Sequence, residues 1–282
     1  MQHGTPSITA MRVAMRRAAH QIYDRPLVLD DPIALAIMGQ ERCDKLRSDP
    51  ERQSEPIAVA MRAYMAVRAR FAEDHLADAV KNGATQYCIL GAGLDTFAHR
   101  NPYPHLRVFE VDFPATQEWK HSMLAEAALP HPACLTYAPV DFEQQTLHDG
   151  LLSAGFDRQQ KTFFSWLGVV PYLTLDGFRS TLAFTAALPV GSGIVFDYGL
   201  PRELLSERGK AGFDYLASRV RRASEPFQLF FSPEQAAAEL IRAGYRSMED
   251  LNPAALSARY FANRGDGMAL RGEMGHMICA WM

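Results

Sequence analysis

The stretch Gln86-Tyr87-Cys88-Ile89-Leu90-Gly91-Ala92-Gly93 confines this chain more than any other part of it. A short apolar run that ends in Gly-x-Gly reads as a buried strand leaving its sheet through a loop. Ligands approach the backbone closely there, because glycine has no Cβ to block them. A second apolar run, Val108-Phe109-Glu110-Val111-Asp112, ends in acid. That acid follows the glycines by roughly 20 residues, the interval at which nucleotide-binding α/β folds accept hydrogen bonds from a ribose. The pair predicts a ribose-bearing ligand, with Gly91 and Gly93 as the close-approach loop. Glu110 and Asp112 share parity on an extended strand, so either could meet the ribose hydroxyls.

Which ligand is decided by a missing residue. The dinucleotide fingerprint needs a third glycine three places after the second, where helix and strand close around a pyrophosphate. Here that place is Thr96. A side chain there crowds a diphosphate, whereas S-adenosylmethionine has no phosphate and needs only adenosine and amino-acid contacts. The residues therefore favour the methyl donor over a nicotinamide cofactor.

Further apolar runs at Leu106 to Val111, Leu135 to Val140, Thr162 to Ser165 and Gly193 to Phe196 resemble buried parallel strands, and segments of helical period separate most of them. This alternation predicts a doubly wound α/β sheet. A helical region, residues 1–80, precedes a Rossmann-like core, residues 81–282, and the two read as one domain without a linker. Late strands are expected at Pro226 to Phe231 and His276 to Trp281, with a helix from Pro233 to Ala243 between them.

Composition removes several function classes. Lys and Arg total 29 against 32 Asp and Glu, a net charge of −3, so nothing recruits nucleic acid by its backbone charge. The four cysteines, Cys43, Cys88, Cys134 and Cys279, show neither CxxC nor Cys/His ligand spacing, which argues against a structural metal or a disulfide framework. No stretch reads as a signal peptide or a membrane span, and a cytoplasmic protein is the expectation.

The helix before the first strand carries a second clue. Ile57, Met61, Tyr64, Met65, Arg68, Ala72, Leu76 and Val80 recur at steps of three or four and form one stripe. Arg68 lies in its middle, and a buried guanidinium needs an anionic partner. That partner is either a protein carboxylate or the carboxylate of a ligand, and periodicity leaves both open. The helix expected after Gly93 would aim its free N–H groups at the same loop, with Asp95 and Thr96 as candidate caps. Asp141 and Phe142 end another strand, where an acid and an aromatic ring suit an adenine. Asp141 also suits a capping role.

These residues carry a resemblance. Ile89-Leu90-Gly91-Ala92-Gly93-Leu94-Asp95-Thr96, Phe109-Glu110-Val111-Asp112-Phe113-Pro114 and Trp166-Leu167-Gly168-Val169-Val170-Pro171-Tyr172-Leu173 together resemble the leucine carboxyl methyltransferase family, above all its bacterial branch of small-molecule O-methyltransferases. Asp31-Pro32-Ile33-Ala34 and Val67-Arg68-Ala69-Arg70-Phe71 extend the resemblance towards the N-terminus. It implies a class I methyltransferase fold, a seven-stranded sheet whose last hairpin adds an antiparallel strand, with N-terminal helices as a lid. It also implies Arg68 as ligand of the donor carboxylate, Asp112 as the ribose acid and Asp141-Phe142 as the adenine contact. One departure stands out: where many relatives have Glu, this chain has Leu167, so an ionic contact to the donor is lost or supplied elsewhere.

The acceptor is less constrained. A carboxylate is already ionised at neutral pH and needs no base, whereas an alcohol or phenol needs one. His20, His99, His121 and His276 are scattered, and no catalytic residue is assigned. Tyr172, Asp197 and Tyr198, at or just past strand ends, are candidates to line the acceptor pocket. With Ile22, Tyr23, Tyr64 and Met65 in a helical lid, the expected acceptor is a mostly apolar small molecule bearing a carboxyl or hydroxyl group. The competing readings are a non-catalytic module that binds the same donor and an NAD(P)-dependent dehydrogenase.

Overall fold

The computed structural model describes residues 7–141, 144–222 and 226–282. Four helices come first: α1 (Ile8–Tyr23), α2 (Pro32–Arg47), the short α3 (Pro50–Ser54) and α4 (Pro56–Lys81). Side-chain caps fix the starts of the first three, where Ser7, Asp31 and Asp49 accept from backbone N–H groups one turn on. Proline at the first turn of α2, α3 and α4 suits a position whose N–H has no helical partner.

The chain then alternates. Strand β1 (Gln86–Leu90) is followed by β2 (Arg107–Asp112), helix α5 (Pro114–Glu126), β3 (Leu135–Pro139), α6 (Leu147–Ser153), β4 (Thr162–Trp166), α7 (Leu175–Ala186) and β5 (Gly193–Gly199). Helices α8 (Glu207–Arg222) and α9 (Pro233–Ala243) lead to β6 (Ser247–Leu251), α10 (Pro253–Tyr260) and β7 (Gly275–Trp281). One sheet of seven strands results, in the order β3-β2-β1-β4-β5-β7-β6. The first five strands are parallel, and β7 runs antiparallel between β5 and β6. This is the seven-stranded α/β sheet with an antiparallel late strand that the resemblance implies.

Every residue of β1 and β4 is buried, as expected of strands covered on both faces. Tyr87, Ile89, Val108, Phe163 and Val195 pack on one face against Ala63, Val67 and Phe71 of α4. Cys88, Leu90, Phe109, Phe164, Phe196 and Tyr198 fill the opposite core with Phe178 and Leu240. The topology positions the site. Strand β1 pairs with β2 on one side and β4 on the other, so the strand order reverses at its carboxyl end, where open α/β sheets leave a crevice.

Two expectations need correction. Pro226 to Phe231 is not a strand; Gln228 and Leu229 donate to the Pro171 carbonyl and Phe231 to that of Gly199, outside the ladder. The strand in the sheet is Ser247–Leu251, an edge strand whose acids hide the apolar alternation. No α-helix follows Gly93 either. A four-residue 3₁₀ turn, Phe97–Arg100, takes its place, because Arg100 is drawn into ion pairs and Asn101 turns the chain extended.

Among the described residues no helix is long and apolar enough to cross a membrane. Among them, too, no three His, Cys, Asp or Glu residues are grouped so that they could hold a metal ion.

Candidate functional site

The glycine loop folds as its sequence requires. Gly91 and Gly93 take φ of +68° and +51°, a region that favours glycine, and a Cβ at Gly91 would lie 2.4 Å from Val169 Cγ2. A Cβ at Gly93 would lie 3.0 Å from the Ala10 Cβ of α1, so the first helix rests directly on the loop. The N–H groups of Gly91 and Ala92 donate to the Val111 carbonyl, which ties the loop to the end of β2.

Asp112 closes the other side. Its Oδ2 accepts the Gly93 N–H at 2.6 Å and its Oδ1 the Phe113 N–H at 2.7 Å. Burial pushes this carboxyl up, and the two backbone donors pull it back. The Thr116 hydroxyl also lowers it, and of about four lone-pair sites at least one stays open to a further hydrogen bond. Glu110, two residues earlier, is engaged elsewhere: it pairs with Lys120 of α5, which also donates to the Asp95 carbonyl at 2.6 Å.

Arg68 projects from α4 towards the same crevice. Its residue exposure is 8%, and among the described residues its guanidinium has one polar partner, Asp197 Oδ2, at 3.5 Å. Asp197 lies two residues before the end of β5 and is shared: its Oδ1 accepts the Gly168 N–H at 2.5 Å and its Oδ2 the Tyr64 hydroxyl at 3.1 Å. A Cβ at position 168 would lie 2.6 Å from Arg68 Nη1, so the turn after β4 presses on the guanidinium. Arg70 by contrast is exposed and pairs with Asp74 within the helix. Of the two partners left open for Arg68, the structure shows the protein carboxylate, and most of its five donors stay uncommitted.

At the carboxyl end of β3 lies a cavity of about 720 Å³ lined by Pro114, Tyr137, Pro139, Asp141, Gln144 and Gly150 among others. Asp141 Oδ2 accepts from the Gln144 amide at 2.8 Å, while Thr146 caps α6. Phe142 lies outside the described residues. Tyr172 stands beside Phe227, ring centroids 5.4 Å apart.

Tyr198 is not brought to this cluster. Alternation along β5 sends it to the opposite face, where its hydroxyl donates to Asp250 at 2.5 Å and lies 3.3 Å from His276 Nδ1. The structure thus places it apart from Arg68 and Asp197. Ile22 and Tyr23 pack among the N-terminal helices, and only Tyr64 of the expected lid residues reaches Asp197.

Sequence reasoning missed a buried charge network. Arg17 of α1 donates to Asp31 Oδ2 at 2.6 Å, to Asp95 Oδ2 at 2.9 Å and to Thr96 Oγ1 at 2.9 Å. Thr96 donates in turn to Asp31, and Arg100 bridges Asp31 and Glu73. Thr96 is thus a junction and not a helix cap, whereas Asp95 does accept the Phe97 N–H at 2.7 Å. Burial works against the Asp95 charge, yet Arg17, Lys120 and Arg100 hold its carboxyl down to about 2. The signal was present in Arg17 on an otherwise alanine-rich helical stripe.

Against this geometry, a family model described as leucine carboxyl methyltransferase matches residues 10–186. The chain belongs to the leucine carboxyl methyltransferase family. YktD of Bacillus subtilis, which carries the name of an S-adenosyl-L-methionine-dependent methyltransferase, is 33% identical over 95% of this chain and 96% of its own. The expectation of S-adenosylmethionine as cofactor agrees with that name. Among solved structures, a protein of Thermobifida fusca titled as a methyltransferase superposes with a TM-score of 0.59 at 16% identity, over 99% of this chain and 96% of that one. A DUF574 family protein of Streptomyces avermitilis gives 0.54 at 17% identity, over 87% and 94%. At these identities the two structures show the fold of the family member.

Proposed function

We propose that this protein is an S-adenosylmethionine-dependent O-methyltransferase of small molecules, with a carboxylate as the preferred acceptor group. The observation that carries the reading is Arg68: a buried guanidinium, nearly unspent as a donor, against the Gly168 turn, whose next residue, Val169, lies where a Cβ at Gly91 would point. Together with Asp112, such a set would hold a carboxylate, a close-approaching chain and a ribose.

The residues fit the donor in a definite division of labour. Arg68 binds its carboxylate, Gly91 and Gly93 admit it against the backbone, Asp112 takes the ribose hydroxyls, and Asp141 stands on the adenine side. Glu110, committed to Lys120, has no part in binding. The bound donor supplies a methyl group already activated on a positively charged sulfur. The chain has to hold an acceptor oxygen in line with the bond that breaks and to keep water away, and positioning of this kind supplies much of a rate enhancement.

The carboxylate preference rests on the titratable groups that meet Arg68, Tyr64 and Asp197, neither of which is a free base. Tyr64 stays a neutral phenol because burial raises its hydroxyl well above the ordinary range, and Asp197 is already an acceptor to three groups. His20 and His276 are held by Asp24 and Asp250. An acceptor that arrives ionised needs none of these.

Titration calorimetry with S-adenosylmethionine and S-adenosylhomocysteine tests the reading directly; no heat from either with folded protein would end it. Asp112→Ala is expected to weaken donor binding by more than about tenfold, the loss of a buried hydrogen-bonding acid. Release of S-adenosylhomocysteine across a panel of carboxylic acids and their alcohol counterparts, with turnover on the alcohols alone, would overturn the carboxylate preference.

A further inference from the structure

Resting on the donor-site reading above, we infer that Asp197 is the ligand of the donor's ammonium group, so that Arg68 and Asp197 together grip both poles of its amino-acid moiety. Position 167, in the turn beside Arg68, is a leucine that packs into the core under α4 and offers no charge. The other acids near the glycine loop have partners of their own. Asp95 faces Arg17, Glu110 faces Lys120, and Asp112 holds the Gly93 N–H. Asp197 is the acid that Arg68 touches.

Its surroundings suit a binding role better than a structural one. A carboxylate offers about four lone-pair sites, and Asp197 fills three: Oδ1 with the Gly168 N–H, Oδ2 with Tyr64 and, at 3.5 Å, with Arg68. An ion pair built for stability is bidentate and short, as Arg100 with Glu73 is at 2.8 and 2.5 Å. Arg68 and Asp197 stand at one long contact, both about nine-tenths buried, with donors and an acceptor site to spare. Burying separated opposite charges is costly, and the cost is offset when each gains a second partner. A zwitterion supplies both at once without adding net charge to the crevice. An anion or a cation alone would leave an uncompensated charge there.

Two further contacts fix Asp197 in place. The Gly168 N–H sets one oxygen. The Tyr64 ring that holds the other lies against Gly275, where a Cβ would approach it within 2.8 Å. The acid is thus pinned from the turn after β4 and from α4, itself packed on β7, and its free lone pair is oriented before any ligand arrives, which lowers the ordering cost of binding.

Calorimetry on Asp197→Asn, with S-adenosylhomocysteine and 5′-methylthioadenosine as probes, separates the outcomes. The amide keeps the shape and removes the charge; the second probe keeps the adenosine and lacks the amino-acid group. The expected result is that the variant binds S-adenosylhomocysteine about tenfold or more weaker and 5′-methylthioadenosine within twofold of the parent. Equal losses for both probes, or none for either, would overturn the assignment. Should the variant fail to fold, the parent alone still decides. It should bind the des-amino analogue of S-adenosylhomocysteine about tenfold more weakly than S-adenosylhomocysteine itself, and a difference under twofold overturns the proposal. Failure of the parent to bind either probe would instead sink the donor site as a whole.

Discussion

Glu110 is 1% exposed in β2, and its Oε1 has no hydrogen-bond partner among the described residues. Burial pushes its carboxyl up to about 7, although Lys120 pulls the other way. The folded form therefore holds this proton more tightly than the unfolded chain does between the ordinary glutamate range and about 7. Stability falls as pH rises through that window. Glu110→Gln should flatten the dependence, seen as a thermal midpoint that changes less between about pH 5 and 7 than the parent's. An unchanged slope would mean that Glu110 is ionised throughout. Lys120→Met strands the charge instead and is expected to cost about 3 to 5 kcal/mol in urea unfolding at pH 8, most of it recovered in the double variant with Glu110→Gln. Alternation places Glu110 and Asp112 on one face and goes no further. Lys120 reads in sequence as one more solvated helical lysine, so which acid stays free for a ligand was invisible until α5 was packed on the sheet.

Loop and first helix form a single fitted joint. Alanine at a positive φ costs about 1 to 2 kcal/mol wherever it stands, so Gly91→Ala and Gly93→Ala both destabilise. The neighbours differ. At Gly91 the new methyl falls 2.4 Å from Val169 Cγ2, a clash, whereas at Gly93 it meets the Ala10 Cβ at 3.0 Å, a far milder overlap. Gly91→Ala should therefore lose more in urea unfolding, and Ala10→Gly should restore part of the loss in Gly93→Ala and none in Gly91→Ala. Equal restoration in both would show that the contacts are not local. The strand and glycine of this joint stand plainly in the sequence, since a buried parallel strand is a continuous apolar run and its exit needs glycine. The 3₁₀ turn does not, because what ends it is Arg100 reaching Glu73 in α4, a contact 27 residues away. Strand β6 was hidden for a related reason. Its Glu249 and Asp250 serve Arg259, Tyr198 and His276 across the sheet edge, and these partners are read only once the strand is placed.

Arg17, Asp31, Asp95, Thr96, Arg100 and Glu73 join α1, the start of α2, the glycine loop and α4 through buried charge. The N-terminal helices are thereby tied to the glycine loop. A ligand that orders the loop must order α1 with it, because the same guanidinium holds both. Hydrogen exchange followed by mass spectrometry should then show slowed exchange in Ile8–Tyr23 and in residues 91–100 as S-adenosylhomocysteine is added, with one concentration midpoint for the two segments. In Arg17→Met the coupling is cut. Protection of residues 91–94 should still follow the ligand while that of α1 no longer does, provided the variant's circular dichroism matches the parent's. If α1 in the parent exchanges at the same rate with and without ligand, the helix only covers the loop and the buried network serves stability alone. Loss of the α1 response in Arg17→Met, with that of residues 91–94 kept, would instead identify Arg17 as the link through which the first helix responds to what the glycine loop holds.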